Sequence, residues 1–217
     1  MGAAPDRAGV PVWLLDVDGV LNARRPGWDG AAAQGIARHG DRRFRLTWSP
    51  ELVDQITALH NGGGVEIRWA TTWVDHIDQV QTLLRLPAFP LAFVGTAPSS
   101  RSGGGVRGAG PDPDLSDLAW ETVARKTRAA LAVVEVEGRA LVWTDDDAIP
   151  VGGPARKRLD GSGQPSLLIA PDTVHGLTPD QMHRVADFLT DLGTRTSPSA
   201  TRDSGSLARP IHLGTPG

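Results

Sequence analysis

The chain has 217 residues, of which 40% are hydrophobic and 22% are charged, and its formal net charge is −3. These values are typical of a globular protein with one main domain, and the charge gives no reason to expect a broad nucleic-acid-binding surface. The absence of cysteine excludes disulfides, zinc–thiolate sites and cysteine nucleophiles. The start lacks a signal-peptide pattern, and no apolar run approaches the ~20 residues that span a bilayer. We therefore expect a cytoplasmic protein with no membrane partner.

Short apolar runs alternate with segments of helical periodicity along most of the chain. The run at residues 42–48 alternates between an apolar face and an arginine face, so we expect a half-exposed strand that forms one arm of a hairpin. Ser49 and Pro50 are typical of an N-cap and a first helical residue. In chain order, the predicted elements are strands at residues 12–15 and 42–48, a helix at 50–60, a strand at 65–70, a helix at 74–84, a strand at 91–94, a helix at 115–134, strands at 141–143 and 166–169, and a last helix that begins at 179.

Composition divides the chain into three segments. Residues 1–9 are predicted to be a flexible N-terminus, residues 10–193 one folded domain, and residues 194–217, rich in Ser, Thr, Pro and Gly, a disordered tail. Inside the domain, residues 96–113 are predicted to be a mobile loop. The glycines at 103–108 match a dinucleotide-binding pattern, but they do not lie between a strand and a helix, so we do not assign that function.

The alternation of strands and helices predicts an α/β fold, in which helices cover both faces of a mainly parallel sheet. Ligands of such sheets bind beyond the carboxyl ends of the strands. Polar residues that directly follow a strand are therefore the candidates for a functional site.

Two carboxylates follow the first strand, Asp16 and Asp18. On an extended chain, side chains two residues apart face the same side, and two carboxylates side by side repel each other unless a cation lies near them. Gly19 allows the chain to turn sharply after the pair. The alternative is an acidic turn on the surface.

Further polar residues lie at the ends of later strands. Thr71 or Thr72 offers a hydroxyl after the strand at 65–70. Lys126, one of only two lysines, lies on the helix that leads to the strand at 141–143, although a solvated helix residue is the alternative. That strand ends in three aspartates, residues 145–147, which suit a hard metal ion.

These residues together resemble the four motifs of the haloacid dehalogenase-like (HAD) superfamily. The motifs correspond to residues 14–20 (LLDVDGV), Thr71, Lys126 and residues 143–146 (WTDD). The order of all four is more specific than any one of them. The resemblance covers residues 10–192 and is nearest to a small capless type, some of whose relatives accompany RNA-repair proteins. It implies a Rossmann-like three-layer sandwich with a short β-hairpin flap and no large cap domain.

The resemblance also implies a Mg2+-dependent phosphatase that works through an aspartyl-phosphate. Asp16 would be the nucleophile and Asp18 the acid/base, which argues for phosphate esters because a halide leaving group needs no proton. Thr71 would donate to a phosphoryl oxygen and Lys126 would neutralise charge in the transition state. The implied Mg2+ ligands are Asp16, the backbone carbonyl of Asp18, and Asp145 or Asp146, with Asp147 as an alternative.

The predicted substrate-binding residues lie beside these motifs and in the segment that forms the flap of the resembling family. Trp73 would form a wall of the substrate pocket, with core packing as its alternative. Arg38, Arg42, Arg43 and Arg45 lie in the flap segment, and one or two of them would bind an anionic substrate. A solvated hairpin face is the alternative. The predicted substrate-binding residues are Asn22, Thr72, Trp73, Arg43 and Arg45.

The expected partner is a phosphorylated substrate, either a small molecule or a nucleic-acid end. A phosphatase that acts on nucleic-acid ends in repair is therefore the main alternative to one that acts on small molecules. A phospho-receiver switch also groups acids, Thr and Lys around Mg2+, although the order of the elements does not fit it. A non-catalytic binding module is the third alternative.

Overall fold

The computed structural model describes residues 9–39, 42–93 and 115–196. The loop predicted at residues 96–113 lies outside these ranges, as do residues 1–8 of the predicted N-terminus and residues 197–217 of the predicted tail. No helix within the described ranges is both long and apolar enough to cross a membrane.

Strands and helices alternate as the sequence predicts, around one central sheet. The strands are β1 (Val12–Leu15), β2 (Ala33–His39), β3 (Arg42–Trp48), β4 (Glu66–Trp69), β5 (Leu141–Thr144) and β6 (Ser166–Ile169). The helices are α1 (Pro50–Asn61), α2 (Ile77–Leu84), α3 (Leu115–Leu131), α4 (Gly153–Gly161) and α5 (Pro179–Thr196). A 3-10 turn (Val74–His76) precedes α2, and a π-helical turn (Ala132–Val136) follows α3.

The central sheet has four parallel strands in the order β4–β1–β5–β6. Leu15, the last residue of β1, is in register with Trp69 of β4 and Thr144 of β5. The carboxyl ends of these three strands are therefore level. Residues that directly follow them lie at the same edge of the sheet.

Helices cover both faces of this sheet, because the side chains of β1 alternate between two hydrophobic clusters. Trp13 and Leu15 pack in a cluster that includes Ile56 of α1, Val80 of α2 and Val185 of α5. Val12 and Leu14 pack in a second cluster with Ala130 of α3 and Leu159 of α4. The predicted Rossmann-like α/β fold with three layers is confirmed.

The remaining two strands, β2 and β3, form an antiparallel hairpin. Its inner face buries Leu46 and Trp48, while Arg43 and Arg45 are exposed on the outer face. The predicted hairpin strand and its two faces are confirmed. The described residues contain this hairpin in place of a large cap domain.

The structure differs from the predicted elements in several places. A full strand at residues 91–94 was predicted, but the described residues form only a single parallel bridge between Leu91 and Trp69; residue 94 lies outside the described ranges. The helix predicted at 115–134 changes to π-helical geometry after Leu131. Helix α4 is not among the predicted elements, because Leu159 is its one buried residue and it has no apolar stripe. Helix α5 continues to Thr196, beyond the predicted domain end at residue 193.

Candidate active site

The loop after β1 places a buried carboxylate at the edge of the sheet. The Asp16 side chain accepts a hydrogen bond from the Val17 backbone N–H at 2.7 Å. The residue is only 4% exposed. The chain then turns at Gly19, whose φ of +67° lies in the left-handed region that favours glycine. This turn keeps the polar end of the loop at the edge of the sheet.

Helix α3 brings a lysine into the same place. Lys126 is 2% exposed, and its Nζ lies 2.5 Å from Asp16 Oδ2 and 3.0 Å from Asp145 Oδ2. A third carboxylate oxygen, Asp147 Oδ1, lies 3.6 Å from the same Nζ. Lys126 is therefore not a solvated helix residue. It is a buried cation that contacts acids from two strand ends.

The acids that follow β5 are held by the backbone and by neighbouring side chains. Asp145 is fully buried, and its Oδ1 accepts the N–H groups of Asp147 at 3.2 Å and Ala148 at 2.9 Å. Asp146 Oδ2 accepts a hydrogen bond from the Thr173 hydroxyl at 3.0 Å. Thr173 is not among the site residues predicted from the sequence. Its place four residues after β6, at the same edge of the sheet, was the signal that could have indicated it.

Four carboxylates converge here, and we call them the acidic cluster: Asp16, Asp145, Asp146 and Asp147. One oxygen of each lies within 4.8 Å of the others. A set made only of carboxylate oxygens suits a hard cation such as Mg2+ or Ca2+, which prefers oxygen ligands. The donor set therefore fits a divalent ion.

The protonation of the cluster reflects an excess of buried negative charge. Burial raises the pKa of Asp16 from 3.8 to about 6, although the charge of Lys126 lowers it. Burial and the charge of Asp16 raise the pKa of Asp145 from 3.8 to about 7. Burial would lower the pKa of Lys126, but Asp16 and Asp145 raise it above its ordinary value, so the ammonium stays charged. One ammonium does not balance the cluster, and a second cation or protons must do so.

The second carboxylate after β1 is not a member of the acidic cluster. Asp18 is exposed, and its Oδ1 accepts a hydrogen bond from Asn22 Nδ2 at 2.8 Å. Its Oδ2 accepts the indole N–H of Trp73 at 2.9 Å. Asp18 is therefore exposed where Asp16 is buried, and the chain between them already bends before the turn at Gly19.

Of the two threonines after β4, one is buried and one is exposed. Thr71 is fully buried, and its side chain forms a hydrogen bond to Asp16 that lowers the pKa of that carboxyl. Its hydroxyl oxygen also accepts the Trp73 backbone N–H at 3.4 Å. Thr72 is exposed. The geometry therefore places Thr71, rather than Thr72, beside Asp16.

The two flap arginines lie further out. Arg43 and Arg45 are exposed on the outer face of the hairpin, and neither forms an ion pair with a described residue. No described contact joins them to the acidic cluster. The hairpin does meet the site through Phe44, whose ring lies edge-on to that of Trp73 with 5.5 Å between the centroids.

Comparison with known proteins adds one finding. The family model for the HAD domain in Swiss Army Knife RNA repair proteins matches residues 12–182. No curated protein and no solved structure matches the chain. The match begins at the first residue of β1 and ends within α5, so it contains every residue of the site described above. The chain therefore belongs to the family of HAD domains of Swiss Army Knife RNA repair proteins.

Proposed function

We propose that this chain is a Mg2+-dependent phosphatase that hydrolyses phosphomonoesters through an aspartyl-phosphate on Asp16. The observation that carries the proposal is the acidic cluster around Lys126, in which a buried carboxylate at a strand end lies within 4.8 Å of three further acids. Membership of a HAD family supports a phosphatase-type activity. The level ends of β1, β4 and β5 bring the required groups together.

Two carboxylates divide the chemistry between them. In the first step, Asp16 attacks phosphorus, the bond from phosphorus to the leaving oxygen breaks, and Asp18 in its acid form gives that oxygen a proton. In the second step, Asp18 takes a proton from water as the water oxygen attacks phosphorus. The bond from phosphorus to Asp16 then breaks, which releases inorganic phosphate and restores both carboxyl groups.

Two buried side chains hold the charge of the reacting phosphoryl group. Lys126 contacts the Asp16 carboxylate at 2.5 Å and therefore lies beside any phosphoryl group bonded to it. Thr71 is hydrogen-bonded to the same carboxyl and is placed to donate to a phosphoryl oxygen. Groups fixed in this way before the reaction stabilise the transition state without reorganising.

The ligands that we propose for Mg2+ are Asp16, Asp145, Asp146 and the backbone carbonyl of Asp18. When bound, the ion would screen the negative phosphate from the attacking carboxylate. Asp145 is the most firmly held of the three acids after β5, because two backbone N–H groups fix one of its oxygens. Asp147 has a 68% exposed side chain and is less well fixed, so we assign it a supporting role.

The proposal is tested by phosphate release from a panel of phosphomonoesters, with and without Mg2+. We expect Mg2+-dependent release by the wild-type chain and none above background by Asp16→Asn. Asp191→Asn, an exposed aspartate on α5, is the matched control and should keep full activity. Activity that survives Asp16→Asn would refute the nucleophile, and a long-lived aspartyl-phosphate would favour a phospho-receiver switch instead.

A nucleic-acid end is the second candidate substrate, and both the family and a local charge excess favour it. Residues 19–48, which include the loop after β1 and the hairpin, contain six arginines and only two aspartates, in a chain whose net charge is −3. Positive charge near the site would attract a phosphate backbone. The family model describes a domain of RNA repair proteins.

The two kinds of substrate are separated by phosphate release from 3′- or 5′-phosphorylated oligoribonucleotides and from sugar phosphates. If the hairpin binds a strand, replacing Arg43 and Arg45 with alanine should raise KM for the oligonucleotide and leave kcat unchanged. The replacement should also weaken the salt dependence of KM. Arg184→Ala, an exposed arginine on α5, is the control. Unchanged KM in the double variant would remove the hairpin from substrate binding.

A further inference from the structure

Both oxygens of the exposed Asp18 carboxylate accept hydrogen bonds from neighbouring side chains. The donors are Asn22 Nδ2 at 2.8 Å and Trp73 Nε1 at 2.9 Å. An aspartate on the surface is otherwise free to rotate about two side-chain torsions. We infer that Trp73 and Asn22 are positioning residues that aim the Asp18 carboxyl group at the leaving oxygen. This inference rests on the proposed function and replaces a direct role of these two residues in substrate binding.

Each donor is itself fixed by further contacts. Trp73 is only 5% exposed, and its backbone N–H donates to the Thr71 hydroxyl at 3.4 Å. Asn22 uses its Oδ1 to accept the Thr47 backbone N–H at 2.9 Å, so both polar atoms of its amide are engaged. The two donors therefore connect Asp18 to the end of β4 and to β3 of the hairpin.

The hairpin contacts both donors. Thr47 lies on β3 and bonds to Asn22, and Phe44 lies on the same strand and packs edge-on against the Trp73 ring at an interplanar angle of 81°. The direction of the Asp18 carboxyl group is therefore set by the position of the hairpin. The acidic cluster does not depend on these contacts, since its members bond to Lys126, to backbone N–H groups and to Thr173.

A comparison of hydrolysis rates for two leaving groups distinguishes a misplaced acid from general damage to the site. An alkoxide needs a proton to leave, whereas nitrophenolate leaves without one. A misaimed acid should therefore slow the hydrolysis of an alkyl phosphate and spare that of p-nitrophenyl phosphate. The ratio kcat/KM is the appropriate measure, because it includes only the steps up to departure of the leaving group.

The test substitution is Trp73→Phe, which removes the indole N–H and keeps an aromatic ring against Phe44. We expect kcat/KM for an alkyl phosphate to fall about tenfold, as the loss of one hydrogen bond to a charged group would predict. For p-nitrophenyl phosphate we expect a change of less than about twofold. Trp28→Phe is the matched control, because it removes an indole N–H that donates to the Leu177 carbonyl at 2.7 Å. It should change neither value.

A second measurement reports the geometry without relying on activity. The indole N–H resonance of Trp73, assigned by its loss in Trp73→Phe, should shift when Asp18 is replaced with alanine, and that of Trp28 should not. Equal losses on both esters, or no loss on either, would overturn the positioning role. If the Trp73 indole resonance does not shift in Asp18→Ala, the positioning role is refuted even when the chain is an active phosphatase. If the wild-type chain releases phosphate neither from these esters nor from phosphorylated oligoribonucleotides, the proposed function fails and this inference fails with it.

Discussion

Replacing Lys126 with methionine would leave the acidic cluster without its buried cation. The lysine is 2% exposed, and its Nζ contacts carboxylate oxygens of Asp16 at 2.5 Å and Asp145 at 3.0 Å. Methionine is of similar length and apolar, so the substitution keeps most of the packing on α3 and removes the charge. The carboxylates that remain are buried and repel one another.

The cost of this change follows from the burial of the pair. Removing one partner of a buried ion pair destabilises a protein by about 3–5 kcal/mol, because the other charge is left uncompensated. Since burial raises the pKa of Asp16 to about 6 and that of Asp145 to about 7, both carboxyls carry protons in the folded chain at a pH where the unfolded chain has released them. The stability that this uptake contributes is lost as the pH rises through those values. The full cost of Lys126→Met should therefore appear at about pH 8 and shrink at about pH 5.5.

Urea unfolding at both pH values, with and without Mg2+, measures this cost. Either protons or Mg2+ should substitute for the missing ammonium, so the variant should recover stability at low pH or with the ion. Lys157→Met is the control, because Lys157 is exposed and is the one other lysine of the chain. A loss that is the same under every condition would refute the reasoning, since it would assign to Lys126 a packing role in place of a charge.

Two further predictions concern the cation. Mg2+ should stabilise the wild-type chain more at about pH 8 than at about pH 5.5, because protons compete for Asp16 and Asp145 as the pH approaches their raised pKa values. Saturation to a hundred times the dissociation constant gives about 2.7 kcal/mol, or roughly 5–10 °C in Tm, and equal shifts at both pH values would count against competition. Gly19→Ala should weaken Mg2+ binding in calorimetry, because its Cβ would lie 2.0 Å from Asp146 Oδ2. Gly63→Ala is the control, because Gly63 also has a positive φ but an added Cβ would meet no atom within 4 Å. It should show only the backbone strain of about 1–2 kcal/mol. Equal Mg2+ binding by the two variants would contradict the predicted contact with Asp146.

The sequence could predict the residues whose position follows from the ends of strands. Asp16 and Asp145 directly follow β1 and β5, Thr71 lies two residues after the end of β4, and the level ends of these strands bring them together. Lys126 could be proposed because lysine is rare in this chain, although only the packing of α3 shows that its ammonium is buried. Local sequence and sheet geometry therefore suffice for the centre of the site.

The sequence could not predict the direction of side chains beyond the strands. Asp18 lies within a turn, where the alternation of an extended chain no longer applies, and its donors come from the end of the same turn and from the segment after β4. Strand β2 is not predicted, because its sequence contains Ala and Gly and lacks a clear apolar alternation. It forms a strand by pairing with β3. The prediction of a full strand at residues 91–94 was wrong because a strand depends on pairing as well as on apolar residues. The described residues of this segment pair only through one bridge, between Leu91 and Trp69.

If the proposed mechanism is right, the contacts that join the donors of Asp18 to the hairpin determine how activity would be lost. Asp16 extends from β1, which is buried on all sides, whereas the Asp18 carboxyl accepts hydrogen bonds from Asn22 and Trp73, which contact the peripheral two-stranded hairpin. Partial melting of that peripheral element would leave a chain that still captures phosphate and its ion but expels alcohols slowly. Gentle heating should therefore abolish turnover of unactivated esters before it abolishes ligand binding.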